Sequence, residues 1–303
     1  MALIAGTRKA DSLAGTNLAD LIVALDGNDT IDSGAGNDVI LAGIGNDVVR
    51  AGAGNDIVDG GAGNDLIAAG DGNDAAAGGL GNDTIEGGAG NDLLQGGAGA
   101  DQLDGGADAD TAAYLLSPAG VTVDLAAGTG KGGDAEGDVL VGVENVMGSR
   151  FNDVLVGDAG ENSLSGGNGS DRLAGGAGSD VLRGGLGSDK FVLGNVAEAL
   201  TGADEITDFS VRAPMAGGDI LDISQLIAGF AAAPATLQAL VDEGFLTFSA
   251  ASGKVGTVIG FDADGAAGAG GATGTAALLD GVAFVSSAIS VAVLEDNIVL
   301  AVA

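Results

Sequence analysis

The stretch GAGNDVILAGIGNDVVRAGAGNDIVDGGAGNDLIAAG, residues 34–70, carries a glycine, an asparagine and an aspartate at intervals of nine residues. A fixed short period of this kind indicates a chain that folds as stacked copies of one unit, not around one irregular core. The period therefore decides the fold class. How far it extends in each direction then indicates the domain organisation.

Aspartate marks the register of the period through an unbroken series of copies. It recurs at Asp11, Asp20, Asp29, Asp38, Asp47, Asp56, Asp65, Asp74, Asp83, Asp92, Asp101 and Asp110. Two residues after each aspartate stands an aliphatic residue, which we predict to be buried: Leu13, Ile22, Ile31, Ile40, Val49, Val58, Ile67, Ala76, Ile85, Leu94, Leu103 and Ala112. A solvated glycine-rich linker would not alternate glycine with a periodic aliphatic side chain. After a break the period resumes over residues 148–192, with Asp153, Asp171, Asp180 and Asp189 in register and Asn162 replacing one aspartate.

Individual copies, such as GGAGNDLIA at residues 60–68 and GGAGNDLLQ at residues 87–95, resemble the RTX nonapeptide G-G-x-G-x-D-x-U-x of calcium-binding bacterial proteins. This motif is highly specific. The resemblance implies an all-β fold, a right-handed parallel β-roll in which consecutive copies alternate between two sheets. It also implies that each calcium ion is shared between turns that are adjacent on the same side of the roll.

The residue types within one copy suit calcium. Glycine at the first, second and fourth positions is expected to adopt backbone angles closed to other residues, so that carbonyl oxygens converge. Asparagine at the fifth position, as at Asn28 and Asn55, tolerates left-handed angles. The aspartate adds a hard anionic oxygen, and calcium prefers carboxylate and carbonyl ligands. The next three residues, as at residues 66–68, are predicted to form a short strand whose middle side chain points inward.

We therefore predict several calcium ions as the cofactors of this protein. The predicted carboxylate ligands are Asp20, Asp29, Asp38, Asp47, Asp56, Asp65, Asp74, Asp83, Asp92, Asp101, Asp110, Asp153, Asp171, Asp180 and Asp189. Backbone carbonyls of the same turns are predicted to complete the sites, for example those of Gly61, Gly63, Asn64, Gly79, Gly81, Asn82, Gly88, Gly90 and Asn91.

The composition excludes several functions. The net charge of −33, from 43 acidic and 10 basic residues, opposes binding to nucleic acid and to anionic lipid. The chain has no histidine and no cysteine, which excludes zinc hydrolysis, thiol nucleophiles and Ser-His-Asp triads. One tyrosine and no tryptophan leave few aromatic platforms for a glycosidase, so we expect no enzymatic activity. The apolar run at residues 282–294 is too short to span a bilayer, and no membrane insertion is expected.

The pattern divides the chain into four parts. Residues 1–113 form a first RTX β-roll block, residues 114–147 an insert with wider solenoid turns, and residues 148–192 a second block. Within the insert, Asp138 with Leu140 and Glu144 with Val146 keep the spacing of acid and aliphatic residue. This spacing predicts that the insert continues the roll, and a separate domain is the alternative.

Residues 193–303 form the fourth part, a β-rich C-terminal cap. Segments such as DEITDF and DILDIS resemble the end of RTX proteins, which caps the roll and carries an uncleaved type I secretion signal. The resemblance implies export by the type I secretion machinery through this region. The candidates for further calcium ligands in this part are Asp204, Asp208, Asp219, Asp222, Asp262 and Asp264.

The outward positions differ between the two predicted sheets. One sheet presents mostly polar residues: Ser12, Ala14, Thr30, Asp32, Val48, Arg50, Leu66, Ala68, Thr84, Glu86, Gln102 and Asp104. The other presents a largely apolar face that includes Leu21, Val23, Val39, Leu41, Ile57 and Leu93. Soluble monomers rarely leave such a face in water, so we predict that it is buried against protein. The partner is a second copy of the chain, by self-association, or the chain's own C-terminal region.

These features predict a secreted calcium-binding protein with a structural role. It is expected to fold on meeting calcium and to assemble with itself at the cell surface or in the extracellular matrix, as an S-layer-like lattice or a filament. Two alternatives remain open: an adhesin or other extracellular binding module, and a passive secreted calcium-binding protein.

Overall fold

The computed structural model describes residues 1–210, 218–225, 246–250, 256–262, 273–280, 289–294 and 297–302. The chain divides into two compact units, Met1–Arg150 and Phe151–Ala303. Both units consist almost entirely of β-strands, so the all-β class predicted from the sequence is confirmed. Within the described residues, no helix is long and apolar enough to cross a membrane.

Seventeen strands and one short 3₁₀ helix, Gly133–Ala135, form the first unit. The strands are β1 Leu3–Ala5, β2 Ser12–Thr16, β3 Leu21–Asp26, β4 Thr30–Gly34, β5 Val39–Ile44, β6 Val48–Ala53, β7 Ile57–Ala62, β8 Leu66–Asp71, β9 Ala75–Leu80, β10 Thr84–Ala89, β11 Leu93–Ala98, β12 Gln102–Ala107, β13 Thr111–Ala113, β14 Thr122–Asp124, β15 Thr129–Lys131, β16 Val139–Val141 and β17 Asn145–Met147.

Consecutive strands of the first unit alternate between two sheets. One sheet has the order β1-β3-β5-β7-β9-β11-β13-β17, and the other has the order β2-β4-β6-β8-β10-β12-β16-β15-β14. Residues 18 apart are paired in parallel, as Ile67 is with Ile85 and Gly70 with Gly88. This is the parallel β-roll expected from the nine-residue period, because two copies complete one turn.

Most strands are longer than the sequence predicts. The three-residue strand expected at residues 66–68 extends to Asp71 and has six residues. It continues because the second and third positions of the next copy also pair with the neighbouring turn, as Gly70 and Asp71 do with Gly88 and Ala89. Only the fourth to sixth positions remain outside the strands as the turn.

Two residues of each long strand face the interior of the roll. The predicted aliphatic column is buried at every copy from Ile22 to Ala112, and only Leu13 is half-buried. The first position of the copy is buried as well, as at Ala24, Ala42 and Ala69. The predicted aliphatic column does not include the first position of the copy. The core is therefore wider than one aliphatic column.

Residues 114–147 continue the first roll through longer connections. Strand β16 pairs in parallel with β12, and β17 with β13. The partners Asp101 and Asp138 lie 37 residues apart instead of 18. The extra residues include an antiparallel hairpin of β14 and β15, which the period does not predict. The Asp138–Leu140 and Glu144–Val146 spacings mark the two places where the roll resumes.

The second unit is built on the same plan. Within the part of this unit that the structure describes, the elements are β18 Val154–Val156, β19 Ser163–Asn168, β20 Arg172–Ala174, β21 Val181–Leu186, β22 Lys190–Val192, helix α1 Val196–Ala199, β23 Asp204–Ile206, β24 Ile220–Asp222, β25 Leu246–Ala250, β26 Gly256–Asp262, β27 Thr273–Asp280, β28 Ile289–Leu294 and β29 Asn297–Val302.

Parallel pairing in the second unit links β19, β21, β23 and β27 in one sheet, and β18, β20, β22 and β24 in the other. Strands β25, β26, β28 and β29 add antiparallel pairs to the ends of these sheets. They lie within residues 193–303, where the sequence predicts a β-rich C-terminal cap. The four-part division at residues 113, 147 and 192 otherwise stays a prediction.

Candidate calcium sites

The aspartates of the period stand at the end of each turn, directly before a strand, and they form two ladders in the first unit. Asp47 N donates to Asp65 Oδ1 at 2.8 Å, and Asp65 N donates to Asp83 Oδ1 at 2.8 Å. The ladder on this side ends where Asp101 N donates to Asp138 Oδ1. On the opposite side an equivalent ladder ends where Asp110 N donates to Glu144 Oε2.

Every aspartate that the sequence predicts as a calcium ligand is buried, with at most 3% of its surface exposed. One carboxylate oxygen of each ladder aspartate accepts the backbone hydrogen bond. In twelve of these aspartates the second oxygen is buried with no hydrogen-bond partner: Asp29, Asp38, Asp47, Asp56, Asp65, Asp74, Asp83, Asp92, Asp101, Asp110, Asp171 and Asp180. A buried unpaired carboxylate oxygen is costly, and either a bound cation or a proton on the carboxyl would compensate it.

The glycines of the turn give these oxygens their surroundings. Gly61 and Gly63 have φ values of +98° and +135°, which only glycine adopts readily. The other predicted ligand glycines share this conformation: Gly79, Gly81, Gly88 and Gly90. A Cβ on Gly81 would collide with the carbonyl oxygen of Gly63 in the previous turn on that side. Backbone carbonyls therefore approach the next turn closely along the stack.

The first glycine of the copy has a different role from the predicted one. Gly60, Gly78 and Gly87 are not among the glycines with positive φ, so the positive φ found at the second and fourth positions is not shared by the first. A Cβ on Gly60 would lie 2.6 Å from Asp65 Oδ2. The missing side chain makes room for the unpaired carboxylate oxygen.

The asparagines also differ from expectation. Asn28, Asn55 and Asn82 do not adopt left-handed angles. Their side chains instead join turns along the stack: Asn46 N donates to Asn28 Oδ1 at 3.0 Å, and Asn82 N donates to Asn64 Oδ1 at 2.9 Å. Asn64, Asn82 and Asn91, three predicted ligand positions, belong to these outer amide ladders.

Burial disfavours the charged form of the carboxylates. It raises the pKa of Asp65 to about 6, and the neighbouring carboxylates of Asp83 and Asp47 add to the rise. Burial likewise raises the pKa of Asp101 to about 7, with Asp138 as the main like charge, and that of Asp171 to about 7. A bound cation would remove both causes, because it compensates the burial and screens the repulsion.

The second unit contains ladder members that the period does not reveal. Asp189 N donates to Asp219 Oδ1 at 2.9 Å, and Asp180 N donates to Asp204 Oδ1 at 3.4 Å. Their separations of 30 and 24 residues break the period. The signal that remains is the acid followed two residues later by a buried aliphatic residue, Leu221 and Ile206 respectively.

The remaining acids named beyond residue 192 differ in their surroundings. Asp208 accepts hydrogen bonds from Gly184 N and Gly185 N. Asp222 forms an ion pair of 2.8 Å with Lys190 and is thereby neutralised. The side chain of Asp262 and the whole of Asp264 lie outside the described residues.

The donor set, carboxylate and carbonyl oxygen, is the one that calcium prefers. No group of three or more acidic, histidine or cysteine side chains that could hold a metal lies among the described residues. An ion at the unpaired oxygens would therefore take most ligands from backbone carbonyls. Calcium accepts 6–8 oxygen ligands in flexible geometry, and carboxylate with carbonyl oxygen is its preferred donor set.

Fold and site together define a calcium-binding β-roll protein. The family model for the RTX calcium-binding nonapeptide repeat matches residues 14–49, 41–76, 77–112, 140–173 and 165–196, which together span just over half of the chain. The chain belongs to this RTX repeat family, and several calcium ions are its expected cofactors. A comparison with curated proteins found no match.

Proposed function

We propose that this protein is a secreted structural protein that folds on binding calcium and assembles with itself outside the cell. In this proposal each ion lies between two turns on the same side of the roll. It takes the unpaired oxygens of their aspartates and carbonyl oxygens of the glycines, including those predicted from the sequence. The twelve unpaired carboxylate oxygens support this assignment. The C-terminal part, residues 193–303, is proposed to direct export by type I secretion, because its segments resemble the ends of RTX proteins.

One apolar column on the outer surface carries the proposal of self-assembly. The parallel register places Leu21, Val39, Ile57, Ala75 and Leu93 side by side on successive strands of one sheet. Ile57 is 54% exposed and Leu93 is 39% exposed. A second column beside it begins with Val23 and Leu41, and Leu41 is 40% exposed. We call these two columns the apolar face.

The opposite sheet of the same unit provides an internal comparison. Its equivalent column contains Ser12, Thr30, Val48, Leu66, Thr84 and Gln102. Polar residues interrupt this column, and Asp32, Arg50, Glu86 and Asp104 stand beside it. Exposed apolar residues are normal when they are scattered, whereas a contiguous face indicates an interaction site. Only the first sheet presents such a face.

A second copy of the chain is the proposed partner. The protein carries a net charge of −33, so two copies repel each other over most of their surface. On the two columns from Leu21 to Gln95, Asp59 is the single charged residue, and repulsion is lowest there. Burial of about 300 Å² of apolar surface at about 25 cal/mol per Å² favours association by about 7 kcal/mol before entropic costs.

The test introduces opposite charges into the apolar face without changing the net charge. Val39→Lys with Leu41→Glu alters two outward side chains of β5, and the control Thr84→Lys with Gln102→Glu introduces the same two charges on neighbouring strands of the opposite sheet. Negative-stain microscopy and light scattering with and without calcium report assembly, and circular dichroism reports folding. We expect the first variant to fold with calcium but not to assemble, and the control to do both.

Two outcomes contradict the proposal. Assembly of the Val39→Lys, Leu41→Glu variant at the level of the parent removes the role of the apolar face. A parent protein that stays monomeric in millimolar calcium favours a passive calcium-binding protein instead.

A further inference from the structure

The first two turns of the ladders are closed by threonine hydroxyl groups. Thr7 and Thr16 stand at the second position of their copies, where most copies have glycine. Thr16 donates to Asp20 Oδ2 from both its backbone N–H and its Oγ1, each at 2.8 Å. Thr7 makes the same two hydrogen bonds to Asp11 Oδ2.

These bonds satisfy both oxygens of Asp20. Its Oδ1 accepts the N–H of Ala2 at 2.8 Å, while Thr16 occupies Oδ2. Asp56 belongs to the same ladder and has the same burial, yet its Oδ2 has no partner. This difference in pairing between Asp20 and Asp56 originates at the second position of their copies. Gly52, at that position in the copy of Asp56, has a φ of +101°, whereas Thr16 has no positive φ.

A hydroxyl group also closes the opposite ladder at its far end in the first unit. Asp138 Oδ1 accepts the backbone N–H of Asp101 at 2.9 Å. The same type of bond joins neighbouring aspartates along the ladder. Asp138 Oδ2 accepts the hydroxyl of Tyr114 at 3.0 Å. Tyr114 and Asp138 are both buried, and Asp138 is therefore absent from the unpaired oxygens. Tyr114 is the single tyrosine of the chain.

We propose that these hydroxyl groups occupy the place of calcium and confine the ions of the first unit to the turns from Asp29 to Asp110. A carboxylate needs one partner for its second oxygen, and a neutral hydroxyl supplies it without an ion. Asp20, a predicted ligand, is then a hydrogen-bonded end residue. Each hydroxyl donor belongs to the chain itself, so it stays beside its carboxylate whatever the calcium concentration. These end turns therefore keep their carboxylates paired at calcium concentrations at which the middle turns bind no ion.

The inference rests on the ligand assignment proposed above, and the test separates the two. Asp20→Asn and Asp56→Asn make the same change in the same ladder. The number of calcium ions bound at saturation is measured by native mass spectrometry on the full chain, with calcium as the only added metal. We expect Asp56→Asn to lower the count by one or two ions and Asp20→Asn to leave it unchanged.

Each other outcome has a defined meaning. If Asp20→Asn loses ions as Asp56→Asn does, the hydroxyl closure is wrong while the ligand assignment stands. If neither variant loses ions, the ligand assignment fails and the closure fails with it.

A gain of function tests the hydroxyl directly. Thr16→Gly restores the glycine of the middle turns and is expected to raise the bound count by one ion. Thr16→Ser keeps the hydroxyl donor and is expected to bind the same number as the parent. An unchanged count in Thr16→Gly, or an equal gain in Thr16→Ser, overturns the proposal.

Discussion

The turns and the outer faces of the first roll differ in how strictly the chain repeats itself. At the turns, buried aspartates recur with one hydrogen-bond pattern from Asp20 to Asp110. On the outer faces, the side chains that flank each buried aliphatic residue vary from apolar, as at Leu66, to charged, as at Arg50. Both regions share the same strands and the same period. Calcium chemistry therefore restricts the turns, whereas the faces are free to carry a property specific to this protein.

Removal of calcium tests the turn side of this comparison with the largest expected effect. At an affinity of about 10⁻⁴ M, millimolar calcium stabilises by about 1.4 kcal/mol per site, so on the order of ten sites contribute about 14 kcal/mol. That equals the whole stability of a typical domain. Circular dichroism is expected to show a disordered chain in EGTA and β-structure in millimolar calcium.

Magnesium at the same concentration is the control for ionic strength and charge screening. It requires near-ideal octahedral geometry and retains its water, so it is expected not to restore the β-structure. An EGTA spectrum identical to the calcium spectrum would show that the ladders fold without ions.

Adjacent residues of one strand provide the next comparison. Ile67 is fully buried and Leu66 is 43% exposed. Ile67→Asp places an uncompensated charge in the core and is expected to cost more than about 3 kcal/mol. Leu66→Asp adds the same charge outside and is expected to remain within about 0.5 kcal/mol of the parent. Urea unfolding in saturating calcium measures both, and equal losses would contradict the inward and outward assignment.

The sequence determines this alternation well. The nine-residue period predicts the buried aliphatic column, and the resemblance to RTX repeats implies the two-sheet roll in which residues 18 apart pair. The burial of the aspartates is a finding of the structure. The period does not predict how one turn differs from another. The hydroxyl partner of Asp20 depends on the backbone angle at Thr16, and the hydroxyl partner of Asp138 comes from Tyr114, 24 residues away.

The ladder positions of Asp204 and Asp219 were named from the sequence only as members of a wider group of acids. Their connections of 24 and 30 residues remove the periodic signal. The length of the strands is also not predicted by the sequence pattern, since glycine at the first and second positions resembles a turn. These positions join the strand because the second and third residues of a copy pair with their equivalents in the next turn, as Gly70 does with Gly88.

Acid is expected to affect the turns in opposite directions with and without calcium. Burial raises the pKa of Asp65 to about 6 and that of Asp101 to about 7 in the ion-free fold, while unfolded aspartate titrates near pH 4. Groups with raised folded pKa values stabilise the fold below about pH 4, and this stability is lost as pH rises through 6 to 7. In EGTA, β-structure is therefore expected to increase from pH 7.5 to pH 5.

With calcium present the same protons compete for the ligand oxygens, and more calcium is needed for folding as pH falls below about 6. Calcium titrations followed by circular dichroism at pH 7.5 and pH 5.5 measure this shift. Asp20 differs, because hydrogen bonds from Ala2 and Thr16 lower its pKa. An EGTA spectrum that does not change between pH 7.5 and pH 5 would contradict the burial of the unpaired oxygens.

The smallest expected effect separates two aspartates that lie close together in the sequence. Asp65 is buried in a ladder, where it accepts the N–H of Asp47, and Asp59 is exposed on the outer surface of β7. Asp65→Ala is expected to weaken about two ions, because each ion lies between two turns, while the other turns remain folded through their nearest neighbours. Asp59→Ala removes the same charge and is expected to bind as many ions as the parent. Native mass spectrometry counts the ions, and circular dichroism at saturating calcium should show both variants folded.

A collapse of the whole roll in Asp65→Ala would mean that the turns act as one cooperative unit. An equal loss of ions in Asp59→Ala would mean that the outer faces take part in calcium binding, and the distinction between constrained turns and free faces would not hold.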